Sequence, residues 1–476
     1  MSSVRRFAVV ASIAAVVLGV PVTGAQANSG TTLYVSPHGS DSAAGTAGAP
    51  LRTPQVAVDR LGRAGGTVRL AGGTYARQRI IIKGRDHVAV RAAAGATPVL
   101  DGSGLKPLDD RSGMVEIRNS SDVTIAGLTI TGYRTSDMSA VPIGIYVTGS
   151  GHSIRLSGNH VHHLGNDNGT LGSFDINAHG IAVYGTKAAE SISDVRIDGN
   201  ELDHLVLGAS ETLVLNGNVD GWSVTGNVIH DNNNIGIDAI GFEPTISGPD
   251  RFTDVNRARN GVIAHNRVSR IISEGNPAYW EDGSWCNCAD GIYVDGGGSI
   301  TIADNQVDAS DIGIEVASEW QQGRTNDVRV NGNTVTRSRY TGLAIGGYDQ
   351  ERGEAYDVTV TGNYLRGNNT LRDGSPEMLL QYYVHDTTIT NNTVIATNPE
   401  PVLLYRVAPV GGAAKNARLV LNHNTYRGRV PAGQEFYFWN DVELQGLAAY
   451  QAASGQDKAS TYEFSGDATL SAGRPG

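Results

Sequence analysis

Cysteine, aromatic residues and basic residues are all scarce in this sequence. It contains two cysteines, its aromatic fraction is 6%, and 48 Asp and Glu residues outnumber 37 Lys and Arg, giving a formal net charge of −11. An acidic chain is a poor general partner for nucleic acid, which needs a basic surface. After the first 27 residues, no apolar run is long enough to span a membrane. We therefore expect neither a nucleic-acid partner nor a membrane-embedded protein.

The two cysteines, Cys286 and Cys288, are separated by one residue. In an exported protein such a pair can close a small disulfide ring, which is our first interpretation, and two free thiols are the second. A metal site is the remaining alternative, but two cysteines at this spacing are far from a complete ligand set.

The N-terminus has the pattern of an export signal. Two arginines at positions 5–6 precede an apolar stretch over 7–22, and small residues follow at 25–27. This arrangement is typical of a cleaved secretory signal peptide, and its apolar part is short for a membrane span. We predict a secreted, extracellular protein with a signal peptide at 1–27 and a single mature domain at 28–476.

Glycine is abundant, at 61 residues, and a phrase ending in asparagine recurs along the chain, followed two places later by a Val, a Leu or a similar residue. Most copies are 27–32 residues apart and three are about 40 apart. A repeat of this period, with short β-type runs and no helical pattern, predicts a solenoid, which can hold a long chain in one domain. We expect the asparagine amides to bond along an inward-facing ladder. The asparagines are Asn159, Asn200, Asn227, Asn266, Asn305, Asn333, Asn363, Asn392 and Asn424.

A second repeated phrase begins with glycine and alternates apolar residues with period two, as in Gly291-Ile-Tyr-Val-Asp295 and Gly313-Ile-Glu-Val316. The first and third places after the glycine should point into the coil, and the second and fourth should point out. The pattern predicts an all-β parallel β-helix. Both ends of such a coil need covering, and helix-compatible segments at 53–61 and 441–453 predict short capping helices.

Three long gaps between repeats predict loop insertions near 166–177, 241–260 and 273–290. The second insertion follows the strand that carries Asp238, and the third precedes the strand that carries Asp295. Insertions that cluster on one side of a solenoid tend to build a binding groove.

Three carboxylates fall on outward positions near this groove: Asp238, Asp295 and Glu315. No Lys or Arg occupies the outward positions of these strands. Strand geometry places the Cα atoms of Asp295 and Glu315 about 8 Å apart, so their carboxyl groups can approach the roughly 5–5.5 Å used by retaining glycosidases. Asp238 and Glu315 lie two coils apart, a separation that suits an inverting mechanism. Because crowded carboxylates repel, one should keep its proton and serve as an acid.

Aromatic and polar side chains near the acids are candidates for substrate binding. Aromatic rings stack on the apolar faces of sugars. Other acids nearby lie at strand ends or in loops, and each is interpreted first as an ordinary residue, with a supporting group or a calcium ligand as the alternative; they are Asp282, Asp290, Glu243 and Glu319. Three other histidines, His162, His163 and His230, are interpreted as turn or strand-start residues because no spacing resembles a metal set. The expected substrate-binding residues are Tyr293, Trp280, Trp285, Trp320, Tyr348, His179 and Asn216.

The mature chain resembles bacterial proteins of the pectate-lyase-like superfamily. The phrases Tyr34-Val-Ser-Pro-His-Gly-Ser-Asp and Ala71-Gly-Gly-Thr-Tyr75 are typical of their N-terminal coils. The resemblance implies a right-handed parallel β-helix. It implies little about activity, because that fold serves lyases, hydrolases, epimerases and binding proteins.

A narrower similarity covers Tyr293-Val-Asp295 through Ile314-Glu315-Val316, which looks like the catalytic stretch of β-helix glycosidases related to β-xylosidases. By that resemblance, Asp295 would be the nucleophile and Glu315 the acid and base. The first functional prediction is thus a retaining glycoside hydrolase acting on a poly- or oligosaccharide without a cofactor.

Two alternatives stay open. A polysaccharide lyase or C5-epimerase acting on a uronate polymer could use calcium, with Tyr293 or His179 as its base. We place the lyase or epimerase second, because such enzymes commonly use basic residues and none occupies the outward strand positions. A non-catalytic glycan-binding protein is third.

Overall fold

The computed structural model describes residues 30–108, 110–410 and 417–465. The predicted signal peptide, 1–27, lies outside these ranges. Within them, no helix is both long enough and apolar enough to cross a membrane.

The chain winds as a parallel β-helix in which successive coils contribute strands to three long sheets. The predicted all-β, right-handed parallel β-helix is confirmed. Sheet I carries the candidate acids, and sheets II and III follow it in each full coil.

Sheet I consists of Ile80–Lys83, Arg111–Arg118, Val141–Gly149, His179–Gly185, Leu213–Gly217, Ile237–Ile240, Asp290–Asp295, Ile312–Ala317, Thr341–Gly346, Met378–Gln381, Val402–Arg406, Phe436–Trp439 and Val442–Gln445. Sheet II consists of Thr31–Val35, Gly66–Leu70, Val88–Ala92, Val123–Ala126, Gly151–Ser157, Ile192–Asp198, Val219–Thr225, Ala258–Ala264, Gly298–Ala303, Thr325–Asn331, Ala355–Thr361, Val384–His385, Thr387–Thr390 and Leu419–Asn422. Sheet III consists of Gly73–Ala76, Pro98–Asp101, Thr129–Thr131, His160–His162, Glu201–Asp203, Val228–Asn232, Arg267–Ile271, Gln306–Asp308, Thr334–Thr336, Tyr364–Arg366, Thr393–Ile395, Thr425–Gly428 and Thr461–Phe464.

The inward positions of the three sheets form one continuous apolar core along the helix axis. On sheet I, Ile292 and Val294 stack on Ile314 and Val316 of the next coil, and all four are buried. Branched aliphatic side chains in register fill the coil because adjacent strands lie only about 4.8 Å apart.

The predicted asparagine ladder is present and buried. The Asn333 side chain accepts hydrogen bonds from the backbone N–H and the amide of Asn305, at 3.0 and 2.9 Å. Its own amide donates to the Ile302 carbonyl at 2.9 Å and to the Asn363 side chain at 3.0 Å. Each asparagine therefore satisfies buried polar groups on its neighbouring coils at the turn between sheets II and III.

Replacing one rung of this ladder should be costly. We expect Asn333→Ala to lower the free energy of unfolding by about 3 kcal/mol or more, because each buried polar partner left without a hydrogen bond costs about 1–3 kcal/mol. Thermal unfolding followed by circular dichroism measures the change. Asn331→Ala is the matched control, since Asn331 lies two residues away and is partly exposed; a loss of stability equal to that of Asn333→Ala would contradict the ladder's role.

Both ends of the coil are covered. The predicted N-terminal helix is Pro54–Leu61, with Thr53 as its N-cap residue. At the other end the helix is shorter than predicted, Leu447–Ser454, because Val442–Gln445 instead pairs antiparallel with the last full strand of sheet I.

Near each cap, a glutamine side chain forms hydrogen bonds with backbone groups of a terminal strand, Ile80–Lys83 at one end and Leu419–Asn422 at the other. Gln55 accepts from the Ile81 N–H at 2.6 Å and donates to the Ile81 carbonyl at 3.1 Å. Gln456 accepts from the Leu421 N–H at 2.9 Å and donates to the Leu419 carbonyl at 3.1 Å. Each primary amide thus takes the place of one peptide unit of a missing strand.

The three insertions contain short elements of their own. Gly165–Asn166, at the start of the first insertion, pairs with Arg134–Thr135. A 3₁₀ turn, Gly248–Asp250, lies in the second, which ends where the strand Ala258–Ala264 begins. The third holds the 3₁₀ turn Pro277–Tyr279 and a hairpin formed by Trp280–Glu281 and Ser284–Trp285. The Cys286–Cys288 disulfide that the sequence favoured is present beside this hairpin.

Candidate active site

Three of the predicted site residues, Asp238, Tyr293 and Glu315, lie in one column on sheet I. Asp238 pairs with Tyr293, and Tyr293 pairs with Glu315 on the following coil. Asp295 lies two residues beyond Tyr293 and pairs with Ala317. The structure therefore brings Asp238, Asp295 and Glu315 together on consecutive coils, with the one-coil, two-residue offset that the repeats imply.

These side chains point away from the coil, yet they are covered. Asp238 is 2% exposed, Asp295 is 5% exposed and Glu315 is 7% exposed. The outward direction agrees with the alternation of the repeated phrase, and the side chains are buried because neighbouring turns and loops cover this part of the sheet. For example, the backbone N–H of Glu319, in the turn after its strand, donates to Asp295 Oδ1 at 2.8 Å.

A cavity of about 190 Å³ opens beside this column. Its polar walls are Asp290, Tyr293, Glu315, Glu319 and Gln381. No Lys, Arg or His is found among the described residues that line it. The other lining residues are Ile235, Tyr279, Cys288, Ile312, Tyr340, Ala344, Tyr348 and Leu379.

Burial and mutual repulsion raise the pKa values of the cavity acids. Burial, then the charge of Glu319, raises the pKa of Glu315 to about 7, although hydrogen bonds with Asp290 and with Gln381 act in the opposite direction. The Gln381 amide donates to Glu315 Oε1 at 3.1 Å. Burial, followed by the charge of Glu243, raises the pKa of Glu319 to about 7. Glu315 and Asp290 are close enough to share a proton, and burial followed by the charge of Glu315 raises the pKa of Asp290 well above its ordinary value.

Asp238 and Asp295 stand beside these acids on sheet I but are not among the residues that line the cavity, and their pKa values are raised in the same way. Burial, then the charge of Glu211, raises the pKa of Asp238 well above its ordinary value. Burial, then the charge of Glu319, raises the pKa of Asp295, and the hydrogen bond from the Glu319 backbone opposes this increase. Near neutral pH the cleft must therefore hold several protonated carboxyl groups, which can donate protons.

Several buried polar atoms in the cleft have no hydrogen-bond partner within the described residues. They include one oxygen each of Asp238 and Asp290 and the hydroxyl of Tyr293. The Tyr293 hydroxyl lies close enough to Glu319 to lower the pKa of that carboxyl, but it makes no hydrogen bond of good geometry. Unsatisfied buried groups are rare in folded proteins, and at a cavity they are available to a ligand.

Two predicted binding residues lie outside the cavity and are held by protein partners. Burial lowers the pKa of His179 to about 3. Its Nδ1 lies 3.1 Å from the carbonyl of Glu211, and its Nε2 lies 3.3 Å from the hydroxyl of Tyr184. The Asn216 amide donates to Glu243 Oε2 at 2.6 Å. These protein contacts occupy both side chains, and neither residue is on the cavity wall.

The predicted aromatic residues divide into two groups. Tyr293 and Tyr348 line the cavity. Trp280 and Trp285 pack on each other in the hairpin, with ring centroids 4.7 Å apart, and Trp320 packs against the guanidinium of Arg251 at 4.4 Å. None of the three tryptophans lines the cavity, since these local packing partners hold them elsewhere.

Asp290 and Glu211 escape prediction from the sequence because strict alternation fails at the first position of the repeated phrase, which is Gly291 after Asp290 and Thr212 after Glu211. The N–H groups of Gly180 and Ile181 both donate to the carbonyl of Thr212, which is the pattern of a bulge. A Cβ at Gly291 would lie 2.4 Å from a Val307 methyl, so only glycine fits there. The residue before the glycine consequently faces outward, as Asp290 does.

The histidines also form an assembly that spacing along the chain does not reveal. His160, His163 and His204 come together around Asp203 on sheet III, on two neighbouring coils. They are 41 to 44 positions apart between the coils because the first insertion lies between them, so no short ligand motif exists in the sequence.

Comparison with known proteins gives one relative that spans nearly the whole chain. The uncharacterized protein YwoF of Bacillus subtilis (strain 168) is 36% identical over 439 residues, which cover 91% of this chain and 88% of YwoF. This chain belongs to the YwoF family. No protein-family model matches it.

Other proteins resemble this YwoF-family chain either over a short stretch of sequence or in structure alone. The pectate lyase PEL9 of Emericella nidulans is 44% identical over 78 residues, covering 15% of this chain and 19% of PEL9. The GH136 lacto-N-biosidase from Eubacterium ramulus has a TM-score of 0.52 at 15% identity, covering 91% of this chain and 68% of its own. The tailspike protein of E. coli bacteriophage HK620, a mutant in complex with a pentasaccharide, has a TM-score of 0.54 at 12% identity, covering 88% of this chain and 65% of its own. At these identities the two structures share the fold.

Proposed function

We propose that this protein is a secreted retaining glycoside hydrolase that acts on a neutral poly- or oligosaccharide. The observation that carries the proposal is the column of buried carboxyl groups with raised pKa values beside a cavity whose described lining has no basic residue. Glycosidases work with two such carboxyl groups, one protonated and one ionised.

The protonated member of the pair is Glu315. Its pKa of about 7 keeps a proton available near neutral pH, and it lines the cavity. In the proposed first step, Glu315 donates this proton to the glycosidic oxygen while the bond between that oxygen and the anomeric carbon breaks. In the second step, ionised Glu315 takes a proton from the water that attacks the anomeric carbon, the bond between that carbon and the nucleophilic carboxylate breaks, and both carboxyl groups return to their starting states.

The nucleophile is Asp295. The N–H of Glu319 that donates to one of its oxygens stabilises the ionised form, and so opposes the burial that raises the pKa of this carboxyl group. Once ionised, Asp295 attacks the anomeric carbon and forms the covalent glycosyl intermediate. Its offset of one coil and two residues from Glu315 corresponds to about 8 Å between Cα atoms, which suits the carboxyl separation of retaining enzymes. Asp290 is too close to Glu315 for that role, and it acts by sharing a proton with it.

The walls of the cavity favour an uncharged sugar. A uronate carboxylate would meet Asp290, Glu315 and Glu319 with no cation among the described lining residues. Tyr279, Tyr340 and Tyr348 supply aromatic faces on which a pyranose ring can stack. Two structural neighbours, a lacto-N-biosidase and a tailspike in complex with a pentasaccharide, add support for a saccharide.

Export across a membrane belongs to the same proposal. The pattern of residues 1–27 supports it, and the Cys286–Cys288 disulfide fits an oxidising compartment.

A panel of neutral and uronic glycans tests the proposal. We expect new reducing ends from a neutral glycan, no ultraviolet-absorbing product, and the same rate after treatment with a chelator. Retention of configuration at the released anomeric carbon, followed by NMR early in the reaction, should accompany cleavage. Inverted products would instead support the more widely separated pair Asp238 and Glu315.

A calcium-dependent polysaccharide lyase or C5-epimerase is the second candidate. The unpaired oxygens of Asp238 and Asp290 could bind a hard cation, the Tyr293 hydroxyl could serve as the base, and the short likeness to a pectate lyase favours it. Absorbing unsaturated products, or epimerised uronates, that disappear with a chelator would support this function and refute hydrolysis. Binding without either product would support a glycan-binding protein.

A further inference from the structure

A cluster of histidines lies on sheet III, away from the acidic cleft of sheet I. The strand His160–His162 and the following residue His163 stack on the strand Glu201–Asp203 and the following residue His204. His230 stands on the next coil, where it pairs with the Asp203 position. No step of the proposed hydrolysis uses these side chains.

Asp203 is the centre of this cluster. It is 5% exposed, and its two oxygens are held by two different imidazoles. Oδ2 lies 2.5 Å from His160 Nε2, and Oδ1 lies 2.5 Å from His204 Nδ1. The ligand atoms of His163, Asp203 and His204 all lie within 4.8 Å of one another. Small side-chain rotations bring three such atoms to the roughly 3.3 Å spacing of ligands around one tetrahedral ion.

The backbone holds the two imidazoles in matching positions. His163 and His204 both adopt left-handed conformations, with φ values of 51° and 52°, at equivalent turns of neighbouring coils. Their rings stack almost parallel, at 9°, with centroids 4.9 Å apart. The positions of the ligands are thus fixed largely by the coil, which lowers the entropy lost when an ion binds.

We propose that His163, Asp203 and His204 bind one divalent transition-metal ion of the Zn²⁺ class, which links two adjacent coils. Two imidazoles and one carboxylate are ligands that suit Zn²⁺, Co²⁺ or Ni²⁺, whereas Ca²⁺ and Mg²⁺ prefer sets made wholly of oxygen. The ion replaces the proton between His204 Nδ1 and Asp203 Oδ1. His160 is a positioning residue, because its contact with the other oxygen of Asp203 orients the carboxylate.

The site stands where the first insertion leaves the coil. Gly165–Asn166 begins two residues after His163. An ion at this place joins the coil that carries the insertion to the one that follows it. Its expected effect is therefore on stability, and activity toward a glycan is not needed to detect it.

Calorimetric titration of the tag-free chain with ZnCl₂ at neutral pH tests the site. We expect one saturable equivalent, a rise in the unfolding temperature with Zn²⁺ but not with Ca²⁺ or Mg²⁺, and visible absorption bands of a low-symmetry site with Co²⁺. His163→Gln and His204→Gln should each weaken binding by about 100-fold or more, and His160→Gln by about 10-fold. Circular dichroism checks that each variant folds.

His265→Gln is the matched control, since His265 is also an exposed histidine at a left-handed turn, with φ 57°, but it lies outside the cluster. Its affinity for Zn²⁺ should equal that of the unaltered chain. The absence of a saturable equivalent, or equal affinity in folded His163→Gln, His204→Gln and His265→Gln, would overturn the proposal. A failure of glycan hydrolysis leaves this measurement unaffected.

Discussion

Glu315→Gln is expected to lower the turnover of a cleaved glycoside by about 10³-fold, within the roughly 10²–10⁴-fold range of general acid catalysis. Glutamine fills the same space and can still contact Gln381, but it has no acidic proton for the leaving oxygen. The loss should shrink when the substrate has a leaving group that needs no protonation. Measurements of kcat on an alkyl and an activated aryl glycoside of the same sugar separate the two cases.

Asp295→Asn should be at least as damaging on both substrates, because it removes the proposed nucleophile. The matched control is Glu400→Gln, which alters an exposed acid outside the cleft and should leave kcat unchanged. Equal activity of Glu315→Gln and Glu400→Gln on the alkyl glycoside would remove Glu315 from the mechanism. Near-normal turnover of Asp295→Asn would contradict its role as nucleophile and would favour Asp238 as the partner of Glu315.

Stability should decrease as the pH rises from about 5 to about 8, the reverse of ordinary acid unfolding. Burial, followed by neighbouring carboxylates, raises the pKa of Glu211 to about 8 and the pKa values of Glu315 and Glu319 to about 7, from an ordinary value of 4.5. Between these limits the folded protein holds more protons than the unfolded chain. The free energy of unfolding therefore falls with rising pH, and its full value is present only below about pH 4.5.

The expected size is a few kcal/mol, or about 3–7 °C in unfolding temperature for a chain of this length. Carboxylates with lowered pKa values, such as Asp231 and Asp386, contribute no slope here, because their stabilising effect is lost only below about pH 4. Glu211→Gln should flatten the dependence and raise the unfolding temperature at pH 8, whereas Glu400→Gln should do neither. An unfolding temperature that rises steadily from pH 5 to pH 8 would contradict the assigned pKa shifts.

The fold could be predicted because nearly every coil repeats the same two sequence patterns. The asparagine phrase fixed the period, and the glycine phrase fixed which side chains enter the core. Asp238, Asp295 and Glu315 could be placed on neighbouring outward positions of one sheet by counting from the glycines, since register in a parallel sheet follows directly from such counting.

The rest of the site depends on features that counting does not contain. Asp290 could not be placed because the bulge at Gly291 turns the preceding side chain outward, and Glu211 has the equivalent position before Thr212. The burial of Asp295 depends on a loop, and loop conformation follows no repeat. The tryptophans were assigned to the groove from proximity in sequence, but Trp320 packs against Arg251 in another insertion. The histidine cluster forms only when coils stack.

The two glutamines near the caps have a consequence for assembly. A solenoid whose terminal strands kept their peptide groups free could add a second copy end to end and grow into a filament. Gln55 and Gln456 occupy such groups at opposite ends with their own amides. Each glutamine thereby blocks the addition of a strand to one sheet, sheet I at the N-terminal end and sheet II at the C-terminal end.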